Sequence, residues 1–386
     1  MNVPEQQVYL DNNATTRPAP ECVAAMAACL RDDWGNPSSK HGRGQRAKQR
    51  VLEARGQVAR LLGAQPAEIV FTGGATEANH AAMLGAVRLD PQRRHIVASA
   101  VEHPSTLLLL RHLEAQGRAA VTLLPVDRLG RLDLADLERA VTPGTALVSL
   151  MWANNETGVL FPIEQAAALA RARGALFHTD AVQATGKVVI DLARVPVDLL
   201  SLSGHKLHGP QGIGALFVRK GLRWPPLLFG HQERGRRGGT ENVPAIGGLG
   251  VASALAAQWL GDGGAAGVEA MRDHLEQGIL ARLPCATVNG GGAERVANTA
   301  NIRFAGLDAE AILDKLDRAG IYASAGSACA AGGSEPSHVL SAMGLDRSGA
   351  AASIRFSLSR YTTRADIDRV LEVLPAVVKV AGAVAA

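Results

Sequence analysis

Residues 198–220 read DLLSLSGHKLHGPQGIGALFVRK. Two short apolar runs, DLLSLS and GALFVRK, enclose a polar, glycine-rich stretch that carries Lys206 between two histidines. Runs that are apolar on both faces suit strands of a sheet covered by helices on both sides. The same signature recurs upstream as EIVFT, HIVASA, VTLLPV, ALVSLMWA and ALFHTDA. Segments such as TEANHAAMLGAVRL and IEQAAALARARG lie between most of them, with helical spacing and Gly or Pro at their ends. The alternation predicts an α/β fold built on a mostly parallel sheet of about seven strands, one of them reversed.

At 386 residues the chain exceeds what one hydrophobic core usually serves, so two domains are expected. The glycine-rich WLGDGGAAG, residues 259–267, marks the expected boundary. A large domain is expected over 14–260. Residues 1–13 and 261–386 are expected to form a smaller α+β domain with ANIRFAG, DAEAILDKLDRAGIYAS and SIRFSLSRYTT. The apolar tail VLEVLPAVVKVAGAVAA reads as a closing helix.

Apolar residues make up 47% of the chain and charged residues 20%, the balance of a globular protein rather than a disordered one. A net charge of +4 is too small to point to nucleic acid, although HGRGQRAKQR and ERGRRGG are local basic clusters. MNVPEQQVYL lacks the basic start and apolar core of a signal peptide. No membrane span is expected, since the sequence is read as lacking an uncharged apolar run of about 18 residues. The four cysteines (Cys22, Cys29, Cys285 and Cys329) show no CxxC and no metal-ligand spacing, so no metal is expected and the cytoplasm is the expected location. Cys22, Met26 and Cys29 fall on one helix face, so the first two cysteines read as core. Cys329 sits instead in ASAGSACAAGGSEPSH, residues 323–338, where nothing large can bury it. That stretch predicts a mobile loop over about 323–337 whose thiol is either incidental or carried for chemistry.

In open α/β sheets ligands bind beyond the carboxyl ends of the strands. After EIVF comes TGGATEAN, a glycine turn into a helix, whose backbone N–H groups and Thr76 hydroxyl make an anion site suited to phosphate. His103 follows the next run, in EHPS; NNETG follows ALVSLMWA; Asp180, with Gln183 three residues on, follows ALFHT; Ser203, His205 and Lys206 follow DLLSL. Each alone has a structural reading as turn, cap or surface group. Together they place an anion site, an imidazole, a carboxylate and a lysine on one rim. Pyridoxal 5'-phosphate needs that set: a lysine to bond it, a carboxylate against the pyridine nitrogen and donors for the phosphate. Nucleotide loops fit less well, as neither GxxxxGK[ST] nor a GxGxxG between strand and helix is present.

In order along the chain, YLDNNATT, NPSSKHGRG, FTGGATEAN, VEHPS, NNETGV, HTDAVQATGK, SGHKLHGPQGIGAL, ERGRRGGTEN, GSACAAGGSEPSHVL and SIRFSLSR resemble the NifS/IscS-type cysteine desulfurases. Those are fold-type I, aminotransferase-like enzymes that use pyridoxal phosphate. The resemblance spans about residues 8 to 374. It implies that Lys206 bonds the cofactor and shuttles protons, that Asp180 faces the pyridine nitrogen, and that Gln183 donates to the ring hydroxyl. His103 looks like the imidazole that stacks on the ring. Ala75, Thr76, Ser203 and His205 resemble the phosphate cradle, and Thr240 a threonine reaching the phosphate of a neighbouring subunit, which implies a homodimer. Asn155 and Arg355 match the binders of the carboxylate of L-cysteine; a guanidinium suits that task as a two-pronged donor. Cys329 resembles the loop cysteine that takes the sulfur as a persulfide and hands it to a protein acceptor such as an iron–sulfur scaffold.

Gly73 and Gly238 stand where serine is commoner in the resembling family, Gln211 replaces a frequent lysine, and His231 a usual glycine. The acceptor's pathway stays open between nitrogenase maturation, housekeeping iron–sulfur clusters and thiolation. Two other readings compete: a selenocysteine lyase or other β-lyase on the same residues, and a non-catalytic docking platform for iron–sulfur assembly. The complete set of catalytic positions argues against the platform.

Overall fold

The computed structural model describes residues 7–326 and 336–385. Its strands, in chain order, are β1 (Val8–Tyr9), β2 (Ile69–Thr72), β3 (His95–Ser99), β4 (Ala120–Leu124), β5 (Thr145–Met151), β6 (Leu176–Asp180) and β7 (Leu199–Ser203). There follow β8 (Gly214–Val218), β9 (Ala286–Val288), β10 (Thr299–Phe304), β11 (Ile321–Tyr322), β12 (Ser324–Ala325) and β13 (Ser353–Ser357). The strands β2 to β8 form one sheet in the order β2, β8, β7, β6, β5, β3, β4. Only β8 runs antiparallel to its neighbours. These are the seven apolar runs of the sequence.

The pleat sends successive residues of each strand to opposite faces, and both faces are covered. Phe71, Val97, Val148, Phe177, Leu200 and Phe217 join one buried cluster with residues of helices Gly42–Leu61, Ile163–Ala172 and Val243–Gly261. Their neighbours Val70, Ile96, Leu147, Leu199 and Leu216 join a second, with Met83 of helix Ala75–Leu89 and Leu110 of helix Pro104–Ala115. Each such side chain contributes about 1.5–3 kcal/mol of hydrophobic stabilisation. Together these bury a strand sequence that water-facing sheets could not tolerate.

A four-stranded antiparallel sheet, in the order β12, β13, β10, β9, stands apart from the first, while β1 pairs in parallel with β11. Its cluster draws Val8 and Leu10 together with Leu275, Ile302, Ile312, Ile354, Phe356 and Leu374. The tail is helical over Arg364–Ala385, with Pro375 inside it. At 259–267 the chain makes a short joint between helices Val243–Gly261 and Gly264–Arg282, with Gly263 at φ 75°.

One expectation is corrected. Helix Val243–Gly261 is an uncharged, largely apolar run of 19 residues, long enough by length and composition to cross a bilayer. Val243, Ile246, Leu249, Ala252 and Ala256 are buried, and the helix packs on Pro20–Asp32 and Gly42–Leu61. It is placed as a core helix, and its apolarity serves that packing.

Ser203 of β7 stands opposite Gly214 of β8, so residues 204–213 form the loop that carries Lys206. The Gly204 carbonyl accepts from both Leu207 N and Gly209 N, at 3.0 Å each, and His208 adopts φ 64° between them. A Cβ on Gly214 would lie 2.8 Å from the Gly74 carbonyl carbon and 2.5 Å from Leu202 O. Glycine there lets the lysine hairpin lie directly against the 73–74 turn.

Candidate active site

A cavity of about 800 Å³ opens at the carboxyl ends of the parallel strands. Its walls include Ala75, Thr76, His103, Asn155, Asp180, Gln183, Ser203, His205, Lys206 and Arg355. Ten of the expected site residues thus converge, from segments far apart in sequence. Thr240 does not: it is exposed and lines a smaller neighbouring cavity of about 200 Å³, which shares Gly73 and Gly212 with the first. Cys329 lies outside the described residues.

One wall is the start of helix Ala75–Leu89. Gly74 precedes it at φ 152°, a value that favours glycine, and no side chain caps it. The first N–H groups of a helix lack intrahelical acceptors and carry its positive dipole end. Glu77 also lines this opening, where it accepts from Gly73 N at 2.8 Å and from Arg237 Nε at 2.9 Å. With Thr76, Ser203 and His205 on the same wall, the donor set fits a phosphate.

Asp180 ends β6 and is buried. Its Oδ2 accepts from Asn79 Nδ2 at 2.7 Å and its Oδ1 from Val182 N at 3.0 Å, which fixes the carboxylate plane. His103 begins helix Pro104–Ala115 and its Nδ1 accepts from Ser105 N at 3.1 Å. A main-chain N–H can only donate, so the neutral ring carries its proton on Nε2. Burial pushes the His103 pKa down, against Asp180, while Lys206 and His338 push it further the same way. His205 follows suit: burial and then Lys206 lower it to about 4, so both imidazoles are uncharged at neutral pH.

Lys206 Nζ donates to the carbonyls of Asn13 and Ala14, at 2.6 Å each. Arg355 is buried in β13; its Nη1 donates to Asn155 O at 3.1 Å and Gly326 O at 3.3 Å, and its Nη2 to Asp11 Oδ1 at 2.8 Å. Among the described residues its Nε has no hydrogen-bond acceptor.

The structure adds residues to which no role was given from sequence. Asn13 is the largest addition: its carbonyl also accepts from Gln183 Nε2 at 2.9 Å, and its amide nitrogen donates to Asn155 O and Thr299 Oγ1. It stands in YLDNNATT, a motif quoted for the resemblance alone. Lys187, at the end of HTDAVQATGK, donates to Asn13 Oδ1 and Gln183 Oε1. Its signal was a lysine four residues after Gln183 in a segment with few other charges. Asn79, which orients Asp180, lies in the quoted FTGGATEAN. Among the described residues no cluster of His, Cys, Asp or Glu could hold a metal.

The chain resembles known proteins over nearly its whole length. The family profile described as aminotransferase class-V matches residues 8–370. A cysteine desulfurase of Cereibacter sphaeroides is 54% identical over 375 residues, covering 97% of this chain and 96% of its own. The cysteine desulfurase NifS of Azotobacter vinelandii is 50% identical over 373 residues, covering 96% and 92%. A solved structure described as a NifS-like protein superposes with a TM-score of 0.90 at 35% identity, over 97% of this chain and all of the other. A match that begins at β1 and ends in the last helix takes in all three sheets and the whole cavity wall, and the chain belongs to the aminotransferase class-V family.

Proposed function

We propose that the chain is a pyridoxal-phosphate-dependent cysteine desulfurase, converting L-cysteine to L-alanine with the sulfur left as a persulfide on Cys329. The observation that carries this reading is the convergence of Lys206, Asp180 and the uncapped start of helix Ala75–Leu89 on one cavity. It is supported by relatives named cysteine desulfurase at about half identity over nearly the whole chain. The cavity's chemistry fits the cofactor: a helix start and hydroxyls for phosphate, a plane-fixed carboxylate for a pyridine nitrogen, and a lysine amine on the same cavity wall. Pyridoxal phosphate, when bound, draws electrons from the substrate α-carbon and eases removal of its proton.

In this reading the chain's own residues divide the remaining work. Ala75 N–H, Thr76, Ser203 and His205 hold the phosphate. Asp180 keeps the pyridine nitrogen protonated by the attraction of its charge. Arg355 and Asn155 hold the substrate carboxylate, which orients the α-carbon toward the Lys206 amine that moves its proton. His103, uncharged and with an N–H on Nε2, would lie against the cofactor ring and assist proton movement. The Cys329 thiolate then bonds to the substrate sulfur: the Cβ–S bond breaks, an S–S bond forms, and the carbon takes up a proton to give alanine. The same proposal includes a homodimer in which Thr240 reaches the partner's phosphate, a protein acceptor for the sulfur, and a division into a large domain over 14–260 and a smaller remainder.

The test is alanine release from L-cysteine with a thiol reductant, in the natural protein and in Cys329→Ser. Alanine from the first and almost none from the second supports the reading. Equal release from both means that the C–S bond breaks by another route, as in a β-lyase.

A further inference from the structure

Lys187 reaches back from the turn after Gly186, which adopts φ 75°, so that its amine returns to the residue four positions before it. The Nζ atom lies 2.8 Å from Asn13 Oδ1 and 2.5 Å from Gln183 Oε1. A charged lysine nitrogen has donors only, so in that form both contacts are to amide oxygens, the arrangement of the structure. That fixes the Gln183 amide: Oε1 toward Lys187, Nε2 toward the cavity and Asn13. One Nε2 hydrogen goes to Asn13 O at 2.9 Å, the carbonyl on which Lys206 Nζ also rests at 2.6 Å. The second amide hydrogen remains for an acceptor in the cavity that Gln183 lines.

We propose that Lys187 is a positioning residue of this site, holding the Gln183 amide nitrogen and the Asn13 carbonyl in register with Lys206. The inference rests on the reading of the cavity as a pyridoxal-phosphate site, where Gln183 would donate to the ring hydroxyl. Asn13 is the pivot. Its Oδ1 accepts from Lys187 and from Asn298 Nδ2 at 3.1 Å, and its Nδ2 donates to Asn155 O and Thr299 Oγ1. Without Lys187, Gln183 keeps one hydrogen bond and its carbonyl faces a buried site with no donor. An amide so held can turn and present oxygen, a repulsive atom, to the ring oxygen. Burial, then Lys206 and Arg355, hold the Lys187 pKa well below the usual lysine range. The two bonds stand in either charge state, since a neutral amine still has two hydrogens.

The experiment titrates the visible absorption of the pyridoxal-phosphate-loaded protein with pH, in the natural chain, Lys187→Met, Gln183→Leu and the double variant. A donor near the ring oxygen favours the less protonated form of the bound cofactor, so each single change is expected to raise the midpoint by about one unit. Because one residue acts through the other, the double variant is expected to shift no further than the larger single. Lys187→Arg, which keeps donors, is expected to return the midpoint most of the way to the natural value. If the methionine variant does not fold, Lys187→Gln replaces it, since its shorter neutral arm spans at most one of the two oxygens. Additive shifts, or an unmoved midpoint in a folded, loaded variant, overturn the inference alone. A natural protein that takes up no cofactor overturns the reading of the cavity and this inference with it.

Discussion

Arg355 Nη2 meets Asp11 Oδ1 at 2.8 Å, joining residues 344 apart in the chain, with the guanidinium side chain only 2% exposed. Asp11 thus holds one edge of the group proposed to bind the substrate carboxylate. Asn155 O and Gly326 O occupy Nη1, and Nε has no acceptor among the described residues. A single-pronged contact leaves room for a second carboxylate to form the forked pair that guanidinium favours.

Arg355→Lys is expected to raise KM for L-cysteine by about tenfold or more while pyridoxal phosphate still binds, because a lysine cannot present the fork. Steady-state alanine release and cofactor titration check the two halves separately. Asp11→Ala is expected to lower stability by about 3 kcal/mol, since it leaves a buried cation without its anion. Denaturant unfolding measures this loss, and Asp11→Asn is expected to lose less.

Glu102 offers a prediction about pH. Its carboxyl is buried beside β5, accepting from Ser99 Oγ at 2.7 Å and Met151 N at 2.9 Å, while Oε2 has no donor among the described residues. Burial raises its pKa from 4.5 to about 8, against the hydrogen bonds from Ser99 and Met151. Below pH 4.5 the folded and unfolded chains both hold this proton, and the group contributes nothing to pH dependence. Between pH 4.5 and about 8 the folded chain keeps a proton that the unfolded chain releases, so stability falls as pH rises through that window. Glu102→Gln is expected to flatten this fall and to be more stable than the natural protein at pH 8, by unfolding at several pH values. His178 acts with the opposite sign. Burial lowers its pKa to about 3, so stability is lost as pH falls from 6.5 toward that value.

Much of this architecture could be read before any coordinates, for physical reasons that differ by element. Each large-sheet strand is a local run: β6 needs only LFHTD, after a helix and before the next apolar run, to be recognised. The rim residues follow those runs directly, so a rule about strand ends finds Asp180 and Lys206 without knowing their neighbours. Contacts between distant segments escape such reading. Nothing local marks Asn13 as the acceptor for Lys206, 193 residues away. ERGRRGG reads as a basic cluster, yet Glu233 within it takes Arg55 and Arg237 pairs with Glu77. Val243–Gly261 escaped because glycine, alanine and single polar residues dilute its apolar character.

The Arg55–Glu233 pair makes the next prediction. Arg55 Nη1 and Nη2 reach the two oxygens of Glu233 at 2.7 and 2.6 Å, with side chains 11% and 2% exposed. Glu233 Oε2 also accepts from Phe71 N at 3.0 Å, and its own backbone is held at φ 48°. The pair therefore ties the 232–239 segment to β2, just before the 73–74 turn. Glu233→Ala is expected to cost about 3–5 kcal/mol, as removal of one partner strands a buried charge. Replacing both, by Arg55→Met with Glu233→Leu, is expected to recover much of that in chemical unfolding. The Phe71 N–H left without an acceptor limits the recovery.

Gly238 tests the tightness of the same segment. A Cβ built there would lie 2.1 Å from Phe229 O and 2.4 Å from its carbonyl carbon, distances that no side-chain rearrangement relieves. Gly238 N meanwhile donates to Leu228 O at 2.8 Å, so the two backbones are held in contact. Gly238→Ser, the residue commoner in the resembling family, must push Phe229 and Gly230 away from 238–239. The expected loss is about 1–3 kcal/mol, the usual range for overpacking, read as a lower unfolding midpoint. Gly73→Ser makes the contrast, because its Cβ would meet side-chain ends alone, the Glu77 carboxylate oxygen at 2.9 Å and Arg237 Nη2 at 4.0 Å. It is expected to change stability by less than about 1 kcal/mol. A Gly238→Ser variant as stable as the natural chain would show that the 228–238 contact yields freely, and that the departure at Gly238 is not enforced by packing.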